Sequence, residues 1–85
     1  MSNPAGTRLV LYSRPGCSLC DELLAELAAL PEARGYSVEV IDVDGDDAAR
    51  LRFGHKIPVL MFDGELVCYG RLNADEVHKA LAQRR

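Results

Sequence analysis

Apolar positions along the chain change their period several times, and each change marks an element. Arg8 to Ser13, RLVLYS, is a short and almost unbroken apolar run that ends at Arg14-Pro15-Gly16. A run of this kind predicts a strand covered on both faces, at the centre of a sheet. From about Ser18 the spacing becomes helical: Leu19, Leu23, Leu24, Leu27 and Leu30 form one stripe, which Pro31 stops. Asp21 and Glu22 fall in its first turn, where carboxylates favour the helix dipole. Tyr36, Val38 and Val40 then alternate with Ser37 and Glu39 ahead of Ile41-Asp42-Val43, which predicts a second strand.

The acidic run DVDGDD, Asp42 to Asp47, leads into AARLRF, Ala48 to Phe53. Acids before it and arginines towards its end describe a short helix in the favourable dipole order, closed by Gly54. Two further apolar runs, PVLMF and ELVCY, are separated by Asp63-Gly64, the strongest short-range signal for a two-residue hairpin turn. Counting outward from that turn pairs Phe62 with Glu65, Met61 with Leu66, Leu60 with Val67, Val59 with Cys68 and Pro58 with Tyr69. Pro58 thereby opens its strand, where a missing N–H does least harm. Asn73-Ala74-Asp75-Glu76 is a capping box for a last helix striped by Val77, Ala80 and Leu81. The order is β-α-β-α-β-β-α: an α/β architecture with a four-stranded mixed sheet flanked by helices, its first β-α-β unit parallel and its hairpin antiparallel.

Composition narrows the class. The chain has 85 residues, 48% of them hydrophobic, with seven glycines and four prolines, which predicts one domain over 1–85 with a flexible 1–7. A net charge of −3 gives no global field that would draw nucleic-acid phosphates or anionic lipid, so neither is expected as a partner. No signal-peptide core and no membrane span is visible, and the expected compartment is the cytoplasm. Three cysteines are too few for a secreted disulfide framework; one close pair and one distant cysteine point to metal or redox chemistry.

The pair is Cys17 and Cys20, in RPGCSLCDE. Cys17 stands where the central strand turns into the first helix, and Cys20 lies inside the first helical turn. Residues three apart in such a turn have Cα atoms about 5–6 Å apart, within the span of about 4.4–6.8 Å that a disulfide needs. Unpaired N–H groups and the dipole at a helix N-terminus favour a thiolate there. Exposure divides the labour: Cys17 attacks a substrate disulfide, and Cys20, further into the helix, attacks Cys17 to release the reduced product. Pro15 and Gly16 shape the turn ahead of them. Asp21 and Glu22 oppose negative charge at this end, and Arg14 and Lys56 are the cations expected to offset them. Metal binding and inert packing are the competing readings. For zinc only Cys68, His55 and His78 remain as further soft donors, none at ligand spacing from another. A calcium reading of DVDGDD fails because an EF-hand count from Asp42 reaches Phe53 where the bidentate Glu belongs. No metal ligand is assigned.

LVLYSRPGCSLCDELLAEL, followed by KIPVLMFDGELV, resembles the glutaredoxin-like proteins of the thioredoxin superfamily over about Arg8 to Leu81. The resemblance implies the thioredoxin fold and a thiol–disulfide oxidoreductase with a redox-active Cys17–Cys20 disulfide. It implies a cis peptide bond before Pro58, packed against the pair, and pairing of the Ile57 backbone with an extended substrate. Implied partners are a disulfide-containing protein or glutathione, or thioredoxin reductase as the recharging enzyme, acting on a monomer that needs no cofactor beyond glutathione as co-substrate. The family's glutathione-using members carry Thr-Val-Pro, Pro-Tyr between the cysteines, and Gly-Gly before the last helix. Here those places read KIP, SL and YGRLNADE, so that Arg14, Gly70 and more weakly Asp75 are what remains of a tripeptide site. A non-catalytic binding module on the same fold is the alternative. Cys68 reads first as a buried small hydrophobe and second as an auxiliary thiol, and His55 as a loop residue beside the groove. Tyr12 is expected to pack near the end of the first strand and His78 to lie on helix surface. Arg50, Arg52, His55 and Lys56, with Arg14 and Arg71, form either a basic rim or a solvated helix end.

Overall fold

A computed structural model describes residues 8–82; the expected flexible segment 1–7 lies outside them. Strand β1 (Arg8–Ser13) leads through a tight turn into α1 (Ser18–Ala29), and a 3-10 turn (Pro31–Ala33) follows. Strand β2 (Ser37–Asp42) and a second 3-10 turn (Val43–Gly45) precede α2 (Asp47–Phe53). Strands β3 (Val59–Phe62) and β4 (Glu65–Tyr69) form the hairpin, and α3 (Ala74–Ala82) follows. The sheet runs in the order β2-β1-β3-β4, with β1 parallel to β2 and antiparallel to β3.

Strand parity divides the core in two. Leu9 and Leu11 of β1 pair with Phe62 and Leu60 of β3, and these four pack with Leu23 and Leu27 of α1 and Val77 and Leu81 of α3. The alternate residues point to the opposite face, where Val59 packs with Val43, Ala49 and Phe53, flanked by Tyr12, Ile57 and Met61. A central strand buried on both sides explains why RLVLYS carries no polar alternation. Tyr12 stacks on Phe53 with ring centroids 4.5 Å apart, which ties the end of β1 to α2.

The hairpin register is corrected. The hairpin register holds for Phe62–Glu65 and Met61–Leu66, then slips by one: Leu60 pairs with Cys68 and Val59 with Tyr69. The extra residue is a bulge at Val67, and it turns Cys68 into the core on the α1–α3 face instead of onto the α2 face. Strand β2 forms as expected and lies at the edge of the sheet, where Val40 is 50% exposed. Gly54 caps α2 as expected, in right-handed geometry. What selects glycine is proximity, since a Cβ there would come within 2.6 Å of the Arg50 carbonyl oxygen.

The remaining boundaries follow from caps. Asp46 accepts the Ala49 N–H at 3.2 Å to start α2, and Asn73 accepts the Glu76 N–H at 3.1 Å to start α3. The Glu76 carboxylate lies 3.8 Å from Lys79, on the helix flank. Asp63 and Gly64 both have positive φ, +56° and +82°, as a type I′ turn requires.

Candidate active site

The site begins with the turn out of β1. Pro15 and Gly16 occupy its centre, Gly16 at φ +77°, and the Cys17 N–H closes it on the Arg14 carbonyl at 3.2 Å. Proline then glycine is the order that a turn with positive φ at its third residue selects. Cys17 consequently becomes the N-cap of α1, in extended geometry, with its Sγ accepting the Cys20 N–H at 3.3 Å. A hydrogen bond of this kind gains strength when the sulfur carries charge.

Cys17 is half-buried and Cys20 is 2% exposed, and both are free thiols. Burial pushes the Cys20 thiol up to about 11, and its hydrogen bond to Cys17 adds to this. The Arg14 backbone and the Ser13 hydroxyl act in the opposite direction. Ser13, buried beneath the pair, is a site residue that the sequence reading passed over. Its signal was available: it continues the inward parity of Leu9 and Leu11, and a polar side chain there requires a partner.

The segment before β3 comes alongside the end of β1, where Tyr12 pairs with Val59. The Ile57–Pro58 peptide bond is cis, Pro58 is fully buried and Ile57 is partly exposed. The Pro58 carbonyl accepts the Gly70 N–H at 2.8 Å, which carries the β3–β4 ladder one step further and sets Gly70, at φ +79°, beside Pro58. Lys56 lies over the Tyr69 ring at 5.5 Å, and Tyr69 is 53% exposed beneath it. His55 is exposed in the same loop.

Glu22 faces Arg71 at 4.0 Å, a further cation near the start of α1. Arg14 forms a two-point pair with Asp44, Nε at 2.9 Å and Nη2 at 3.1 Å, which raises its pKa further. The acidic run is absorbed by local structure: Asp42 caps the 3-10 turn, Asp44 holds Arg14, Asp46 caps α2, and Asp47 meets Arg50 at 3.0 Å. Arg52 lies over the Phe53 ring at 4.6 Å, so both Arg50 and Arg52 are engaged within α2 itself. His78 is exposed, 3.7 Å from Glu32. Cys68 is buried opposite Leu60, and burial raises its pKa too. Among the described residues no group of three or more His, Cys, Asp or Glu side chains is placed to hold a metal ion.

Residues 8 to 82, which hold the strand, the tight turn, the N-cap cysteine and the hairpin, match the family model of the glutaredoxin-like domain DUF836. The chain belongs to this glutaredoxin-like family. An uncharacterized protein of Mycobacterium tuberculosis is 30% identical to this glutaredoxin-like chain over 88 residues, 98% of this chain and 88% of its own length. The solution structure of a Nitrosomonas europaea protein superposes with a TM-score of 0.78 at 30% identity, covering 93% of this chain and 96% of that one. The Fasciola hepatica thioredoxin, 18% identical, superposes with a TM-score of 0.57 over 95% of this chain and 84% of its own. The glutaredoxin-like domain therefore has the thioredoxin-like fold, with a mixed four-stranded sheet and three helices.

Proposed function

We propose that this domain is a thiol–disulfide oxidoreductase that reduces protein disulfides or mixed disulfides with glutathione, using Cys17 as nucleophile and Cys20 as resolving thiol. The observation that carries the reading is the seat of Cys17 at the α1 N-cap, its Sγ on the Cys20 N–H, with Cys20 itself out of water. Cys17, as thiolate, attacks one sulfur of the substrate. The substrate S–S bond breaks, a Cys17–sulfur bond forms, and the leaving sulfur keeps the electron pair and takes a proton from water. Cys20 then gives up its proton, attacks the Cys17 Sγ and expels the second substrate sulfur as a thiol. The substrate gains two electrons and two protons, and the dithiol becomes a disulfide. A Cys20 that holds its proton until the mixed disulfide forms sets this order.

In this reading the Ile57 backbone beside Pro58 aligns an extended substrate segment, with Arg14 and Gly70 on its border. No resident metal or organic cofactor takes part. The dithiol is restored by two molecules of glutathione or by thioredoxin reductase; the engagement of Arg14 with Asp44 favours the reductase. A monomer in a reducing compartment, the cytoplasm, suits this chemistry. Among the described residues no helix is long and apolar enough to cross a membrane.

The test is to supply the protein with hydroxyethyl disulfide and either glutathione or thioredoxin reductase with NADPH, and to determine the potential of the pair. Turnover with one of the two systems, lost in Cys17→Ser, is the expected result. No turnover with either system, together with undiminished cellular function of Cys17→Ser, would assign the domain to partner binding along the Pro58 edge.

A further inference from the structure

We propose that Asp44 is a specificity-determining positioning residue: by holding Arg14 in a two-point pair beside Cys17, it selects against disulfides that carry a carboxylate next to the scissile bond. The inference rests on the thiol–disulfide reading above and adds the substrate charge that this site accepts.

Arg14 is part of the turn that presents the nucleophile. Its carbonyl accepts the Cys17 N–H at 3.2 Å, so its side chain leaves the same tight turn three residues before the nucleophile. A free guanidinium on the turn that carries the attacking cysteine would attract an anionic substrate, because its rigid fork binds carboxylates through two parallel N–H donors. Here that fork is already occupied, Nε on one Asp44 oxygen at 2.9 Å and Nη2 on the other at 3.1 Å. Asp44 is itself held: its N–H donates to Asp42 Oδ1 at 2.8 Å within the 3-10 turn that follows β2. Arg71, the other arginine near the α1 N-terminus, is also turned to a carboxylate, that of Glu22. Neutral and cationic disulfides meet no such loss. The step affected is the first attack, in which the Cys17–sulfur bond forms as the substrate S–S bond breaks and the leaving sulfur takes the electron pair.

The experiment measures second-order rate constants for pre-reduced full-length protein with dithiodipropionate, which is anionic, with cystamine, which is cationic, and with uncharged hydroxyethyl disulfide. Asp44→Ala frees the Arg14 fork and is expected to raise the anionic-to-cationic rate ratio roughly fivefold at low salt, with the gain fading near 1 M salt. Asp44→Glu keeps a carboxylate at the position and should hold the ratio within about twofold of wild type. In an Arg14→Gln background the Asp44→Ala gain should vanish, since no fork is left to release. Wild-type reactivity with all three disulfides and an unchanged ratio in Asp44→Ala overturns the role of Asp44 and leaves the thiol–disulfide reading standing. An equal gain in the Arg14→Gln background overturns the pairing mechanism, since the effect would then come from net charge alone. Failure of the wild-type protein to reduce any of the three overturns both readings together.

Discussion

Cys20 keeps its proton because its sulfur is out of water, and burial is the largest cause of a pKa raised from 9.0 to about 11. The unfolded chain loses that proton near its ordinary value, whereas the folded chain holds it to higher pH. Stability from this group is therefore fully present below about pH 9 and declines as pH rises through about 11. The urea midpoint of the reduced wild-type protein should fall across that window more steeply than that of Cys20→Ala. Chemistry separates the two cysteines as well. Cys20→Ser should accumulate a stable mixed disulfide at Cys17, seen as an adduct in intact-protein mass spectra, while Cys17→Ser should accumulate none. The placement of the two cysteines was legible in the sequence because strand, turn and helix are local signals. Ser13 beneath them was legible only through strand parity, and Arg71 beside Glu22 is brought there by the loop after β4, which has no local mark.

Elements are set by short-range rules wherever one residue dominates the backbone. Asp63-Gly64 marks the hairpin turn because a type I′ turn, with positive φ at both positions, matches the strand twist, and both are positive here. Gly64→Ala should cost about 1 kcal/mol in chemical denaturation, the penalty for a Cβ in left-handed geometry. Gly54→Ala should cost roughly 1–3 kcal/mol for a different reason, a Cβ pressed on the Arg50 carbonyl. Gly45→Ala is the control: nothing lies within 4 Å of its Cβ and its φ is not left-handed, so its midpoint should move little. The bulge at Val67 was not legible. Alternation specifies the two faces of a strand only while the ladder is regular, and the demand to bury both Leu60 and Cys68 on one face outweighs regular pairing.

At the scale of the whole molecule, two cores share one sheet, and the site lies where strands of both end. Leu11, fully buried on the central strand, should cost about 2–5 kcal/mol when cut to Ala, read from urea denaturation. Leu51 is a large apolar side chain too, but it is 79% exposed, and Leu51→Ala should stay within about 0.5 kcal/mol. The same global arrangement decides the charge of the site. Because β2 lies parallel to β1, with Ser13 opposite Asp42, the turns that leave the two strands emerge side by side, and Arg14 meets Asp44 across thirty residues of chain.

The sequence by itself determined the order of elements, the central strand, the hairpin turn, the helix caps and the placement of Cys17 and Cys20 at a helix N-terminus. Each of these rests on periodicity or on the backbone preference of a few neighbouring residues. Only the tertiary structure decided which carboxylate holds Arg14, which cation faces Glu22, which face Cys68 enters and how completely Cys20 is withdrawn from water. Those outcomes depend on distances between segments far apart in the chain, and these are set by sheet order and core packing.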